Sequence, residues 1–169
     1  MIAGIARALA VLSKALDRAC WVIAFVALHV MLLSILLQVV ARYIFDAPPA
    51  WTEELGRFAM IWGAMTGATM AYYRGVDPVM VNFNTRGEPA RALYMRLIEA
   101  VGVLALAAPV LLYAPAFLER HAHRITETLE WNSAAVVVII PASFAVIVVH
   151  LAARLAEALR AWRAQDAPR

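Results

Sequence analysis

Two histidines lie within apolar stretches of this sequence, and paired histidines on facing membrane helices can ligate haem iron. His29 lies 11 residues after Arg18, whereas His150 lies four residues before Arg154. If both arginines mark one membrane surface, the imidazoles differ in depth by about 10 Å. Ligands of one iron should share a level, so we favour packing histidines with hydrogen-bond partners and keep haem ligation as the alternative.

A second group of charged residues marks the expected start of a helix. Glu53 and Glu54 precede Arg57 by four and three residues, spacings that bring opposite charges together on a helix. Acidic residues in a first turn also suit the helix dipole, and Thr52 is expected to cap the helix. These charges either serve only the local helix start or dock onto a partner protein.

Small residues follow those charges at intervals of four: Ala59, Gly63, Gly67 and Ala71. Such a ridge lets another helix approach closely, and close packing drives helix association in lipid. The sequence leaves open whether the ridge packs within this chain or against another subunit. Trp62, inside the same stretch, is expected to face another protein surface or lipid.

Other kinds of chemistry are not supported by the sequence. It has no zinc motif, nucleophile elbow or phosphate-binding loop, and its one cysteine, Cys20, excludes an internal disulfide. We therefore expect no enzyme activity, no metal site and no bound cofactor. The arginines punctuate apolar stretches and form no dense basic run, which argues against a nucleic-acid partner.

The composition predicts a membrane protein. Of the 169 residues, 64% are hydrophobic and 16% are charged, and the mean hydropathy is +0.73. Reading from charge to charge predicts four membrane-spanning helices at about residues 19–41, 51–73, 98–118 and 131–153. The second begins early, at Trp51, because the uncharged stretch after Arg57 is short. None of the four uncharged stretches holds Asp, Glu, Lys or Arg, so a self-sufficient ion-coupled transporter is not favoured.

Orientation and the amino-terminal segment follow from the distribution of cations. Eleven of the 15 Lys and Arg residues fall in the first 18 residues, the loop after the second span and the tail. This bias predicts that both termini are cytoplasmic. Residues 1–17 show helical spacing of apolar residues opposite Arg7 and Lys14, which predicts an amphipathic helix along the membrane surface, in contact with lipid headgroups. An extension of the first span is the alternative. The fold class predicted is thus all-α, integral to the membrane, in one domain over residues 1–169.

The order of several motifs resembles the small membrane subunit of tripartite ATP-independent periplasmic (TRAP) transporters. The motifs, in chain order, are Arg42-Tyr43-Ile44-Phe45, Trp51, Glu53-Glu54-Leu55, Arg57, Ile61-Trp62-Gly63, Gly67-Ala68 and Pro141-Ala142-Ser143. The resemblance implies a bacterial inner-membrane helper protein. Its implied partners are a large multi-span subunit, which performs sodium-coupled transport, and a periplasmic solute-binding protein, which delivers a solute such as an organic acid.

On this interpretation the chain is a non-catalytic scaffold that anchors and stabilises the large subunit. The candidate interface comprises Arg42, Trp51, Glu53, Glu54, Arg57, Ala59, Trp62, Gly63, Gly67 and Ala71. The competing hypothesis is a membrane anchor of a haem- or quinone-linked redox complex, motivated by His29 and His150.

Overall fold

The chain is built from helices. A computed structural model describes residues 2–76 and 89–165, and in these ranges it contains no β-strand, only an isolated bridge between Ile125 and Asn132. The helices are α1 (Ile2–Phe45), α2 (Ala50–Arg74), α3 (Pro89–Ala122), α4 (Ser133–Val137) and α5 (Ile139–Gln165). The predicted all-helical class is confirmed.

Three stretches of the described chain are long and apolar enough to cross a membrane: Gly4–Phe45, Leu93–Ala122 and Ser133–Ala164. Helix α2 is not among them, because its stretch from 58 to 73 contains glycine, threonine, tyrosine and tryptophan beside its aliphatic residues. Its 25 residues match the predicted boundaries closely, and the helix does begin before Arg57, as expected.

Helix α1 differs from the prediction in one respect. The amphipathic segment is helical, but it continues without a break into the first predicted span and forms one helix of 44 residues. At about 1.5 Å per residue this helix is about 66 Å long. The structure therefore shows an extension of the span in place of a separate surface helix, because nothing between residues 13 and 20 breaks the helix.

A repeat of small residues lets α1 pack along its whole length. The buried side chains of α1 recur at every seventh position: Ala6, Ser13, Cys20, Ala27, Ser34 and Ala41. A seven-residue period keeps one face turned toward its neighbours when helices cross at a small angle, and small side chains bring the backbones close. This face packs on α2 and α5, whereas most of the large apolar side chains of α1 are exposed.

Helix α5 is the centre of the bundle. It contacts α1, α2, α3 and α4, and α3 packs on α5 and α4. Leu151 and Ala153 of α5 are buried, while Val101 and Leu112 of α3 are more than 70% exposed. An outer surface this apolar suits lipid or another membrane protein rather than water.

Helix α2 begins and ends for different structural reasons. Pro49 is the residue that precedes the first turn, and no side chain caps this end. The prediction that Thr52 caps the helix is wrong. Thr52 lies inside the first turn, and its hydroxyl donates to the Pro49 carbonyl at 2.6 Å. The other end stops at Gly75, whose φ of 64° is left-handed, a conformation that glycine adopts without a steric penalty.

The fourth predicted span is interrupted in the structure. Helix α4 ends at Val137 and α5 begins at Ile139. Pro141 explains the interruption, since it has no N–H to donate to the carbonyl four residues back and its ring crowds that carbonyl. The sequence Gly87-Glu88-Pro89 predicts a helix start, because proline suits a first helical turn, and α3 does begin at Pro89. The short surface-lying segment that apolar spacing predicts for residues 79–84 lies outside the described residues.

Filling the small-residue face of α1 should weaken the bundle. A Cβ atom added at Gly63 of α2 would lie 3.6 Å from the Ala27 Cβ, so the two backbones are already close. We expect Ala27→Leu to lower the free energy of unfolding in detergent by about 1–3 kcal/mol through overpacking. The same substitution at exposed Ala19 is the control and should change it by less than about 0.5 kcal/mol. Equal stability of the two variants would contradict the packing described.

Candidate subunit interface

Glu54 ties the start of α2 to the loop between α3 and α4. Its side chain is 9% exposed, and its carboxylate accepts the backbone N–H groups of Glu127, Thr128 and Leu129 at 3.1, 2.9 and 2.9 Å. The Thr128 hydroxyl donates to the same carboxylate. Hydrogen bonds to an ionised acceptor are stronger than those between neutral groups. The Glu54 carboxylate is therefore held by donors of its own chain.

Glu53, the adjacent residue, points elsewhere. Its carboxylate lies 3.4 Å from the Arg57 guanidinium, and the two side chains are 70% and 65% exposed. An exposed ion pair contributes little to stability, because water and salt screen it and holding two long side chains costs entropy. The pair therefore remains accessible to a partner in a way that Glu54 does not.

The small-residue ridge is divided between two surroundings. Ala59 is buried, and Gly63 faces Ala27 of α1, whereas a Cβ at Gly67 would have no atom within 4 Å. Steps of four residues advance a helix by about 400°, so the ridge turns by about 40° at each step. Its first half packs inside this chain, and by Gly67 the ridge has turned outward.

One side of α2 is left without a neighbour in the described chain. We call it the open face, and it carries Glu53, Arg57, Met60, Ala64, Gly67 and Ala68. Ala71 continues its line but is half-buried. Of the ten predicted interface residues, Glu53, Arg57 and Gly67 thus lie on the open face, while Glu54, Ala59 and Gly63 serve the chain's own packing.

The remaining predicted residues are scattered. Trp51 is 41% exposed, and Arg42 at the end of α1 is exposed as well. Trp62 was expected to face a partner or lipid, but its indole N–H donates to the Val136 carbonyl of α4 at 2.9 Å. A buried indole N–H needs an acceptor, and the bond fixes Trp62 as an internal contact between α2 and α4.

A polar cluster at the opposite end of α2 was not predicted. Arg154 of α5 donates to the Glu99 carboxylate of α3 at 3.0 Å and to the Tyr72 and Tyr73 carbonyls of α2 at 2.5 and 3.3 Å. Its guanidinium also lies 4.6 Å from the centre of the Tyr72 ring. The last carbonyls of a helix have no partner within the helix, and Arg154 supplies one.

One further contact at this end involves α1. Arg74 of α2 lies 3.3 Å from the Asp17 carboxylate. Sequence reasoning missed the whole cluster, although a signal was present: Arg74, Glu99 and Arg154 each bound an uncharged stretch. A chain that crosses a membrane repeatedly brings the end of one span to the same membrane surface as the start of the next. Charged residues at those positions lie at one level and can meet.

The two histidines have separate environments. His150 is 1% exposed, its Nδ1 lies 2.6 Å from the Ser13 hydroxyl, and its ring packs on Tyr73 with centroids 5.0 Å apart. His29 is exposed and lies 16 residues after Ser13, which is about 24 Å along α1. The two imidazoles cannot ligate one iron within this chain. Among the described residues no group of three or more His, Cys, Asp or Glu could hold a metal ion.

Taken together, long apolar helices joined by internal polar contacts define a helical membrane protein. The comparisons with known proteins then identify its family. Residues 31–161 match the family model described as tripartite ATP-independent periplasmic transporters, DctQ component. The chain belongs to this family, and the predicted resemblance is confirmed. No individual curated protein matches the sequence. The family is a transporter component, which is consistent with a protein that is not an enzyme and implies association with other TRAP components.

The adjacent glutamates permit a matched test of the internal contact. We expect Glu54→Gln to lower the melting temperature and to speed hydrogen exchange at the backbone amides of residues 127–129. The glutamine side-chain oxygen is a weaker acceptor than a carboxylate, and the glutamine NH₂ group would face the N–H donors of the loop. Glu53→Gln, which loses only an exposed ion pair, should leave both measurements near the wild-type values. Equal exchange rates in the two variants would show that Glu54 does not hold the loop.

Proposed function

We propose that this chain is the small, non-catalytic scaffold subunit of a sodium-coupled TRAP transporter for an organic-acid-type solute. Family membership over residues 31–161 is the observation that carries the proposal. On this proposal a large multi-span subunit binds the solute and sodium and moves them, and a periplasmic solute-binding protein delivers the solute. The chain anchors the large subunit in the inner membrane.

We further propose that α2 is a fourth span. Its first turn contacts the loop before α4 through Glu54, and its last turn contacts Arg154 of α5. Residues 130 and 154 bound the fourth uncharged stretch, so the ends of α2 match the two ends of that stretch. At about 1.5 Å per residue, the 25 residues of α2 measure about 37 Å, enough for a hydrocarbon core of about 30 Å. Four crossings and the distribution of Lys and Arg support cytoplasmic termini.

A scaffold role fits the distribution of polar groups. The described ion pairs Asp17–Arg74 and Glu99–Arg154 lie at one end of the bundle and join helices to each other. The uncharged stretches carry no Asp, Glu, Lys or Arg, the side chains with which ion-coupled transporters commonly bind and couple ions near the membrane midplane. Such a chain supplies rigid surface and leaves ion coupling to its partner.

The open face of α2 is the surface that we propose binds the large subunit. It combines the exposed Glu53–Arg57 pair at its head with Ala64, Gly67 and Ala68 below. Small side chains allow a partner helix to approach closely in lipid, and the charges at headgroup depth can fix its register. The redox-anchor alternative gains no support from the family or from the separated histidines.

Co-expression tests the function directly. We expect the tagged chain to co-purify with the large subunit of its own transporter, and vesicles that hold both proteins to take up solute when the binding protein and a sodium gradient are supplied. Uptake should be lost when this chain is left out. Robust sodium-driven uptake by the large subunit and the binding protein alone would overturn the scaffold role.

The position of the interface has its own test. Gly67→Leu adds bulk where the isolated chain has open space, so its melting temperature should be unchanged while its affinity for the large subunit falls about tenfold or more. Gly102→Leu on α3 is the matched control, because Gly102 also has no atom within 4 Å of an added Cβ. If both variants bind like wild type, the open face is not the interface.

A further inference from the structure

His29 occupies an unusual position for a histidine. It lies near the middle of the 23-residue uncharged stretch of α1, 11 residues from Arg18 and 13 from Arg42, yet its side chain is exposed on the outside of the bundle. Ionisable residues inside membrane spans almost always face protein or a water-filled cavity. In the isolated chain, this imidazole would face hydrocarbon.

The hydrogen bond of the ring fixes which nitrogen is free. Nδ1 lies 2.8 Å from the Phe25 carbonyl oxygen. A carbonyl only accepts, so Nδ1 carries the proton, and in the neutral imidazole Nε2 is then an acceptor. The ring is also held in place, because it packs on Phe25 at 4.1 Å and Phe25 stacks on Trp21 at 5.4 Å between centroids.

Helix α3 repeats this local arrangement in a different setting. His121 Nδ1 lies 2.9 Å from the Phe117 carbonyl, and the two rings are 4.4 Å apart. His121 follows Glu119 and Arg120 at the polar end of α3, where water can donate to its Nε2. Nε2 of His29 has no water at the middle of a span, and an unpaired polar group there is costly.

An apolar groove borders the same side of α1. Val22 and Val26 lie seven and three residues before His29, on its stripe of the helix, and both line a groove of about 550 Å³ between α1, α2 and α4. Phe58 and Trp62 of α2 form part of the opposite wall. Leu33 continues the stripe and is 63% exposed. A single exposed acceptor beside an apolar groove suits a partner helix with one donor among apolar side chains.

We propose that the stripe of Val22, Val26, His29 and Leu33, together with the adjoining groove, is a second contact surface for the large subunit. Its occupant is a transmembrane helix that donates a hydrogen bond to His29 Nε2 from a hydroxyl, amide or indole N–H group and places apolar side chains in the groove. This surface rests on the proposed function, but it lies on α1, apart from the open face of α2. The family match begins at residue 31 and does not include His29.

Substitutions at His29 and at His121 test, in the full complex, whether the large subunit donates a hydrogen bond to His29 Nε2. His29→Phe keeps an aromatic ring and removes the acceptor, and it should weaken binding of the large subunit about three- to tenfold, in line with interhelical hydrogen bonds in membranes. His121→Phe removes the same local bond at the polar end of α3 and should leave binding unchanged. His29→Gln, whose side-chain oxygen accepts, should restore part of the affinity. Wild-type affinity in His29→Phe would overturn the proposal.

A photo-crosslinking residue at Leu33 gives an independent readout that does not depend on how the histidine variants fold. Adducts with the large subunit would support the surface, and adducts with lipid alone would overturn it. The two proposals fail in different ways. If wild-type chain does not bind the large subunit at all, the proposed function is wrong; if it binds but His29→Phe binds equally well, only this second surface is wrong.

Discussion

The guanidinium group of Arg154 is the contact on which the arrangement of the bundle depends most. It joins α5 to the Glu99 carboxylate of α3 and to the last carbonyls of α2, at Tyr72 and Tyr73. A charge or a helix carbonyl that is largely removed from water is costly without a partner, so these groups meet in one place. The planar guanidinium has several donors in a fixed geometry, which is why one arginine can serve two neighbouring helices.

Elsewhere in the bundle, helix packing depends on small side chains more than on the hydrophobic effect. Lipid is as apolar as leucine, so helices gain little by hiding large apolar residues from it. The bundle accordingly places Ala27, Ser34 and their repeat partners inside and leaves Leu33 and Leu36 outside. The buried Thr66 hydroxyl donates within its own helix, to the Trp62 carbonyl, so close approach leaves no donor unpaired there.

Adjacent residues with the same chemistry have opposite roles at the start of α2. Glu54 holds a loop of its own chain, and Glu53 forms an exposed pair with Arg57. Successive side chains on a helix point about 100° apart, which is enough to separate the interior from the outer surface. The division also separates stability from recognition: substitutions at Glu54 act on the fold, while those at Glu53 act on the proposed partner surface.

The sequence by itself determined the helices and the family. Uncharged stretches bounded by charges located α2, proline in a first-turn position marked the start of α3 at Pro89, and the order of motifs identified the TRAP small subunit. Only the tertiary structure decided that Gly63 faces inward and Gly67 outward, that Trp62 bonds to α4, and that Arg154 joins three helices. Spacing along a chain fixes a residue's position on the helix axis. The rotation of each helix, and hence each side chain's neighbours, depends on how all the helices pack at once.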